Sequence, residues 1–210
     1  MENLQAIADI QIGYTARGRL EPMAGGVRAI QLRDTTPDGR SGGEPVDRFR
    51  LDEVPARYWA HAGDIVFRSR GDRNTAALLG KEFDDPAVVV MPLVIIRPSQ
   101  SVLAEYLAWY INEPPAQRHF DKSARGTGIR MIPIADLAGL EIPVPSIDRQ
   151  RAIAAAAGLA MREFQLAGQL AEKRRQLIAT ALFGAARESS HNNSGVNASR
   201  VSPLKNGSTP

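Results

Sequence analysis

Up to about residue 146 the apolar positions come in short runs broken by Gly and Pro; beyond it they settle into a long helical rhythm. Runs at residues 7–12, 27–32, 64–70, 75–79 and 87–96 predict strands, with turns between them. The last run carries Val88, Val89, Val90 and Met91, then Val94, Ile95 and Ile96. Odd and even positions are both apolar, the pattern of a central strand covered on both faces. Pro92 predicts a bulge or bend within it. Residues 101–112 read as a helix, with Ser101 as N-cap and a stripe of Leu103, Leu107, Tyr110 and Ile111. Pro114 and Pro115 stop it. A short helix at 117–123, a Gly-rich loop, a strand at 129–132 and a helical turn at 135–140 follow. The fold class expected for residues 1–146 is therefore α+β.

Residues 147–187 predict one long helix. Ser146 suits the N-cap, and Asp148 in the first turn complements the helix dipole. No Pro interrupts it, so it extends about 60 Å. One seam runs through Ile153, Ala157, Ala160, Phe164, Ala167, Ala171, Ile178 and Ala181, interrupted by Arg174; an offset row holds Leu159, Leu166, Leu170 and Leu177. A helix projecting from a small domain cannot bury two apolar faces on that domain, and soluble monomers avoid long exposed apolar strips. A partner helix is implied. Ile153, Phe164, Leu166, Leu170, Leu177 and Ile178 are the expected dimerisation residues of an antiparallel homodimer. Residues 188–210, dominated by Ser, Asn, Gly and Pro, predict a disordered tail.

Charge and composition add limits. The chain has 26 Lys and Arg against 23 Asp and Glu, a net charge of only +3. Residues 1–146 alone hold 17 basic and 19 acidic side chains. A nucleic-acid surface there must come from local clustering. All but four of the basic residues are arginine, the side chain suited to bidentate contacts with guanine and phosphate; a GC-rich coding sequence would give the same bias. With no cysteine, disulfides and cysteine-ligated metal centres are excluded. No apolar run approaches the roughly 20 residues of a membrane span, and the start lacks the basic and apolar regions of a signal peptide. A soluble cytoplasmic protein with no membrane partner is expected.

Catalytic templates do not fit. Gly80-Lys81 resembles the end of a phosphate-binding loop, but Thr75 stands where the earlier glycine is needed and Glu82 follows. No glycine-flanked serine nucleophile occurs. His61, His119 and His191 are scattered without metal-ligand spacing. Asp64, Glu82 and Asp84 are the carboxylates that a small metal-dependent nuclease would use; turn residues between strands are the competing reading.

Two stretches stand out. Residues 68–75 place Arg68, Arg70 and Arg73 beside Asn74 and Thr75 at a strand end, with Gly71 permitting a tight turn. Arginine and asparagine read guanine and adenine edges, although an ordinary polar hairpin tip would look alike. Residues 118–130 gather Arg118, His119, Lys122, Arg125 and Arg130 against one acid, Asp121, and Gly126-Thr127-Gly128 could meet phosphate. A solvated helix face followed by a loop is the plainer alternative. The expected DNA-binding residues are Arg68, Arg70, Arg73, Asn74, Arg118, Lys122, Arg125, Thr127 and Arg130.

Residues 4–13 (LQAIADIQIG), 61–70 (HAGDIVFRSR), the run from 88 to 98 followed by 104–112 (AEYLAWYIN), and 126–132 (GTGIRMI) resemble successive motifs of the specificity (S) subunit of type I restriction-modification systems. Residues 134–154 (IADLAGLEIPVPSIDRQRAIA) are the most specific, similar to the family's strand, Pro-x-Pro turn and Gln-containing helix entry. The resemblance implies a DNA target-recognition domain over 1–146, a spacer and dimerisation helix over 147–187, and no chemistry of its own. It implies double-stranded DNA as ligand, one half-site per chain. It also implies docking of a methyltransferase subunit that carries S-adenosylmethionine, with or without a restriction subunit. The family has two such units in tandem, and this sequence shows one without an internal repeat. A stand-alone repressor or anti-restriction protein is the binding-class rival, and the nuclease the enzyme-class rival.

Overall fold

The computed structural model describes residues 1–16, 18–35, 46–71, 73–81, 83, 85–124 and 130–195, with side chains as far as residue 187. Two compact units are present, Met1–Ala157 and Gly158–Pro210.

The first unit is α+β, as expected. In chain order it contains β1 (Glu2–Asn3), α1 (Leu4–Ile7), β2 (Ala8–Ile12), β3 (Pro22–Ile30), β4 (Arg48–Phe49), β5 (Trp59–Ala60), β6 (Ile65–Arg68), β7 (Ala76–Leu78), β8 (Ala87–Val89) and β9 (Leu93–Pro98). Then come α2 (Ala104–Asn112), α3 (Pro114–Ser123), α4 (Ile134–Ala138), β10 (Glu141–Ile142) and the start of α5 (Ile147–Gly195). One four-stranded sheet has the order β2-β9-β6-β7 and is antiparallel throughout. A second, β4-β3-β8-β5, is mixed, because β3 and β8 run parallel. β1 pairs with β10.

The apolar run at 87–96 is central, but it is two strands rather than one. The chain leaves the second sheet at Val89, turns through Met91-Pro92, and enters the first sheet at Leu93. Alternation then sorts the side chains. Val94 and Ile96 of β9 join Ile65 and Phe67 of β6 in a core shared with Tyr106, Leu107 and Ile111 of α2 and Phe120 of α3. Leu93 and Ile95 point the other way and meet Val66, Ala87 and Val89 between the two sheets. Val88 faces outward onto Phe49, Tyr58 and Trp59. The layers are helix, sheet and sheet, and β9 is covered on both faces.

Several boundaries differ from the sequence reading. The apolar start at 7–12 opens with a helical turn, α1, before β2. The second strand reaches back to Pro22. The helix expected at 101–112 begins at Ala104, capped by the backbone of Leu103 with no side-chain cap from Ser101. Pro114 and Pro115 end α2 and also open α3 at the positions where a missing N–H costs nothing. Of the strand expected at 129–132, a single bridge, Arg70 with Met131, is present among the described residues.

The compact unit runs past the expected boundary at 146 because the first turns of α5 belong to it. Gln150 is fully buried. Its amide nitrogen donates to the carbonyls of Pro145 (2.8 Å) and Ser101 (3.1 Å), and its oxygen accepts from the Leu103 amide (2.8 Å). One side chain thus satisfies three backbone groups where α2 begins and α5 leaves. Helical backbone continues to Gly195, across the first residues of the tail expected at 188–210; residues 196–210 lie outside the described set.

Candidate nucleic-acid interface

The two basic stretches meet at one end of the antiparallel sheet. β6 ends at Arg68, and the next residue, Ser69, is buried. The Ser69 carbonyl accepts from the Ile132 amide at 2.8 Å, and the Gly71 amide donates to the Arg130 carbonyl at 3.0 Å. The Ser69 hydroxyl donates to the Pro92 carbonyl. Gly71 turns the chain with φ of +131°, a conformation side chains resist. The β6 end is therefore joined to the segment after residue 129 by backbone bonds and to the β8–β9 turn by the Ser69 hydroxyl.

Arg70 and Arg73 are exposed on this platform. Lys122 is exposed on α3, next to Asp121, whose carboxylate accepts from Arg130 at 2.6 Å. Arg130 is therefore part of the platform with its charge already partnered. Arg118 is exposed one turn earlier on α3, near enough to Tyr110 to oppose the upward shift that burial imposes on that phenol. Arg125 and Thr127 lie outside the described residues.

Two expected DNA contacts have structural roles instead. The Arg68 guanidinium turns inward, donating to the Leu32 carbonyl (2.9 Å), the Thr35 carbonyl and the Thr35 hydroxyl (3.1 Å). Asn74 is buried; its amide donates to the Arg68 carbonyl at 3.0 Å, and its own carbonyl accepts from Gln117 at 2.9 Å. Both fix the turn that displays Arg70 and Arg73. A polar side chain required to satisfy buried backbone cannot also reach a base edge.

Sequence reasoning missed arginines elsewhere. Arg28 and Arg48 lie 3.6 and 3.8 Å from Asp85, and Arg33 lies 2.7 Å from Asp47. Arg19, Arg50 and Arg57 line a cleft together with Asp52 and Glu53. These surfaces mix both signs. Exposed Arg70, Arg73, Arg118 and Lys122 belong to the two basic stretches and stand apart from these mixed surfaces.

Asp64 is held in place by structure. Its carboxylate accepts from the His61 amide at 2.9 Å and lies 3.6 Å from Arg97. Burial pushes its carboxyl above the usual carboxylate range, against the lowering effects of that amide and Arg97. Glu82 and Asp84 lie outside the described residues. Among the described residues no group of three or more His, Asp or Glu is placed to hold a metal.

In the second unit Phe164, Leu166, Leu170, Leu177 and Ile178 are all exposed, with Phe164 at 77%. Leu159, Leu182 and Phe183 are exposed with them. The sequence reading left out Leu182 and Phe183, although the 3–4 spacing from Ile178 points to Leu182. Ile153 is corrected: it is half-buried against the core of the first unit and does not join this strip. No described helix is long and apolar enough to cross a membrane.

No family profile and no curated protein sequence matches the chain. Solved structures do. A chain from work on the assembly and conformational transition of the type I restriction-modification system aligns with a TM-score of 0.58 and 19% identity. That match covers 77% of this chain and 37% of its own. The HsdS subunit from Thermoanaerobacter tengcongensis aligns at 0.55 and 19%, with the same coverage. The fold is that of type I S subunits. The S subunit from M. genitalium aligns at 0.50 and 18%, over 83% of this chain and 42% of its own. The chain spans about two-fifths of the length of these proteins.

Proposed function

We propose that the chain is a DNA-reading specificity subunit that carries no chemistry itself. The observation that carries this reading is the platform: two basic stretches far apart in sequence, joined by the Ser69–Ile132 and Gly71–Arg130 bonds, with Arg70, Arg73 and Lys122 outward. Exposed arginines on a backbone-bonded turn suit phosphate positioning and guanine recognition in the major groove. The S-subunit fold supports a role beside a methyltransferase subunit, on which S-adenosylmethionine would bind. A restriction subunit would be a further partner. A stand-alone repressor would use the same platform, and a separate observation favours partners: the exposed apolar strip of α5. Pairing with a second copy would cover it, and a two-fold dimer would read an inverted repeat. In the test, the pure chain is incubated with duplex DNA, magnesium and S-adenosylmethionine, with and without the methyltransferase subunit. Binding without change to the DNA, and methylation only with the partner, is the expected result. Methyl transfer or cleavage by the chain alone would overturn it.

A further inference from the structure

We propose that Met91 and Met131 form an apolar reader of thymine methyl groups, set beside the arginines of the same platform; this deepens the DNA-reading role proposed above and rests on it. Ser69 holds both residues in place. Its hydroxyl bonds the Pro92 carbonyl and its carbonyl bonds the Ile132 amide, so Met91 and Met131 each immediately precede a residue that Ser69 holds. The two residues are 48% and 49% exposed.

Met91 is fixed further. Its amide donates to the Tyr14 carbonyl at 3.1 Å, and its sulfur accepts from the Thr15 hydroxyl at 2.9 Å. Gly13 lets these strands approach, since a Cβ there would stand 2.7 Å from the Leu93 carbonyl oxygen and 2.9 Å from the Met91 nitrogen. Met131 faces Arg70 directly across the bridge.

A single exposed methionine on a protein surface is ordinary. Two on backbone-clamped positions, one of them opposite an outward arginine on a basic platform, are a different arrangement. In the major groove guanine offers two acceptors to arginine, and thymine offers its C5 methyl to an apolar group. Arg70 and Met131 present those complementary chemistries side by side. The local positive charge favours a nucleic acid over an apolar protein partner.

The test selects binding sites from a random duplex library with the full chain, then replaces thymine by deoxyuridine one position at a time, which removes only the methyl. At one or two positions wild-type affinity should fall about fourfold, the equivalent of one buried methyl (~0.8 kcal/mol). In Met91→Ala or Met131→Ala the corresponding position should lose that sensitivity, and Met91→Leu or Met131→Leu should keep it. A selected site indifferent to every methyl, or a sensitivity unchanged in both alanine variants, overturns the inference and leaves the DNA-reading role standing. Selection of no sequence at all overturns both.

Discussion

In Met1–Ala157 most large apolar side chains lie between layers: Phe67, Ile95, Ile96, Leu107 and Phe120 are all buried, while Met91 and Met131 are about half exposed. From Gly158 onward the same residue types stand in solvent, with Leu159, Phe164, Leu177 and Phe183 each more than 70% exposed. The first unit buries most of its apolar surface and satisfies most of its buried polar groups by itself. The second is a run of helix whose apolar strip is exposed among the described residues. A helix of this kind gains its stability from packing rather than propensity. The first region is therefore held by its own core, and the second is the place where the proposed partner would add burial.

The sharpest way to break this contrast is to remove one phenylalanine from each region. Phe67→Ala should cost about 3–5 kcal/mol and lower the unfolding midpoint of the first unit strongly. Phe164→Ala should change stability by no more than about 0.5 kcal/mol, as at an unburied site, while weakening self-association in sedimentation. Equal effects on unfolding would erase the distinction.

Charge placed on the strip should act on assembly. Phe164→Glu with Leu170→Glu should leave the chain monomeric at micromolar concentration and reduce affinity for an inverted-repeat duplex by about 10²-fold or more, the loss expected when two linked sites become one. Sedimentation of the wild type as a monomer would remove the homodimer from the account.

The junction offers a finer probe. Gln150→Ala strands the Leu103 amide and the Ser101 and Pro145 carbonyls, and should destabilise the first unit by about 3 kcal/mol. Denaturant unfolding checks it, and a change below about 0.5 kcal/mol would show that α5 begins as an appendage.

Much of the first unit was legible because burial on both faces leaves a continuous apolar run, as in β9, and because prolines mark the turn at 92 and the break between α2 and α3. That run did not reveal its passage from one sheet to another, since both sheets ask for the same residue types. The candidate site was legible as two basic stretches. Which way each side chain turns was not. Arg68 and Asn74 have the composition of base readers, and only the placement of Leu32 and Thr35 around Arg68, and of the Arg68 carbonyl beside Asn74, assigns their side chains to internal bonds. The apolar residues of α5 were legible from their 3–4 spacing. Ile153 shares that rhythm and is distinguished only by the core it happens to meet.

A smaller prediction concerns Asp64. Its folded carboxyl holds a proton more tightly than the unfolded chain does. The stability it adds is therefore fully present below the ordinary carboxylate range and lost as pH rises through the folded value. Asp64→Asn removes that dependence, so the variant should gain stability relative to wild type between pH 3 and pH 7. Thermal unfolding across that window checks the sign, and a falling difference would contradict it.

The central claim is that the platform reads DNA through Arg70 and Arg73 while Arg68 only holds it together. Affinity for a selected duplex, measured against salt concentration for Arg70→Ala, Arg73→Ala and Arg68→Ala, tests it most directly. Each of the first two should weaken binding by about 1–3 kcal/mol if it meets a base, or lower the salt slope by about one if it meets phosphate, without changing stability. Arg68→Ala should lower the unfolding midpoint and, where the protein remains folded, keep the wild-type salt slope. Unchanged affinity and slope in both Arg70→Ala and Arg73→Ala would contradict the account.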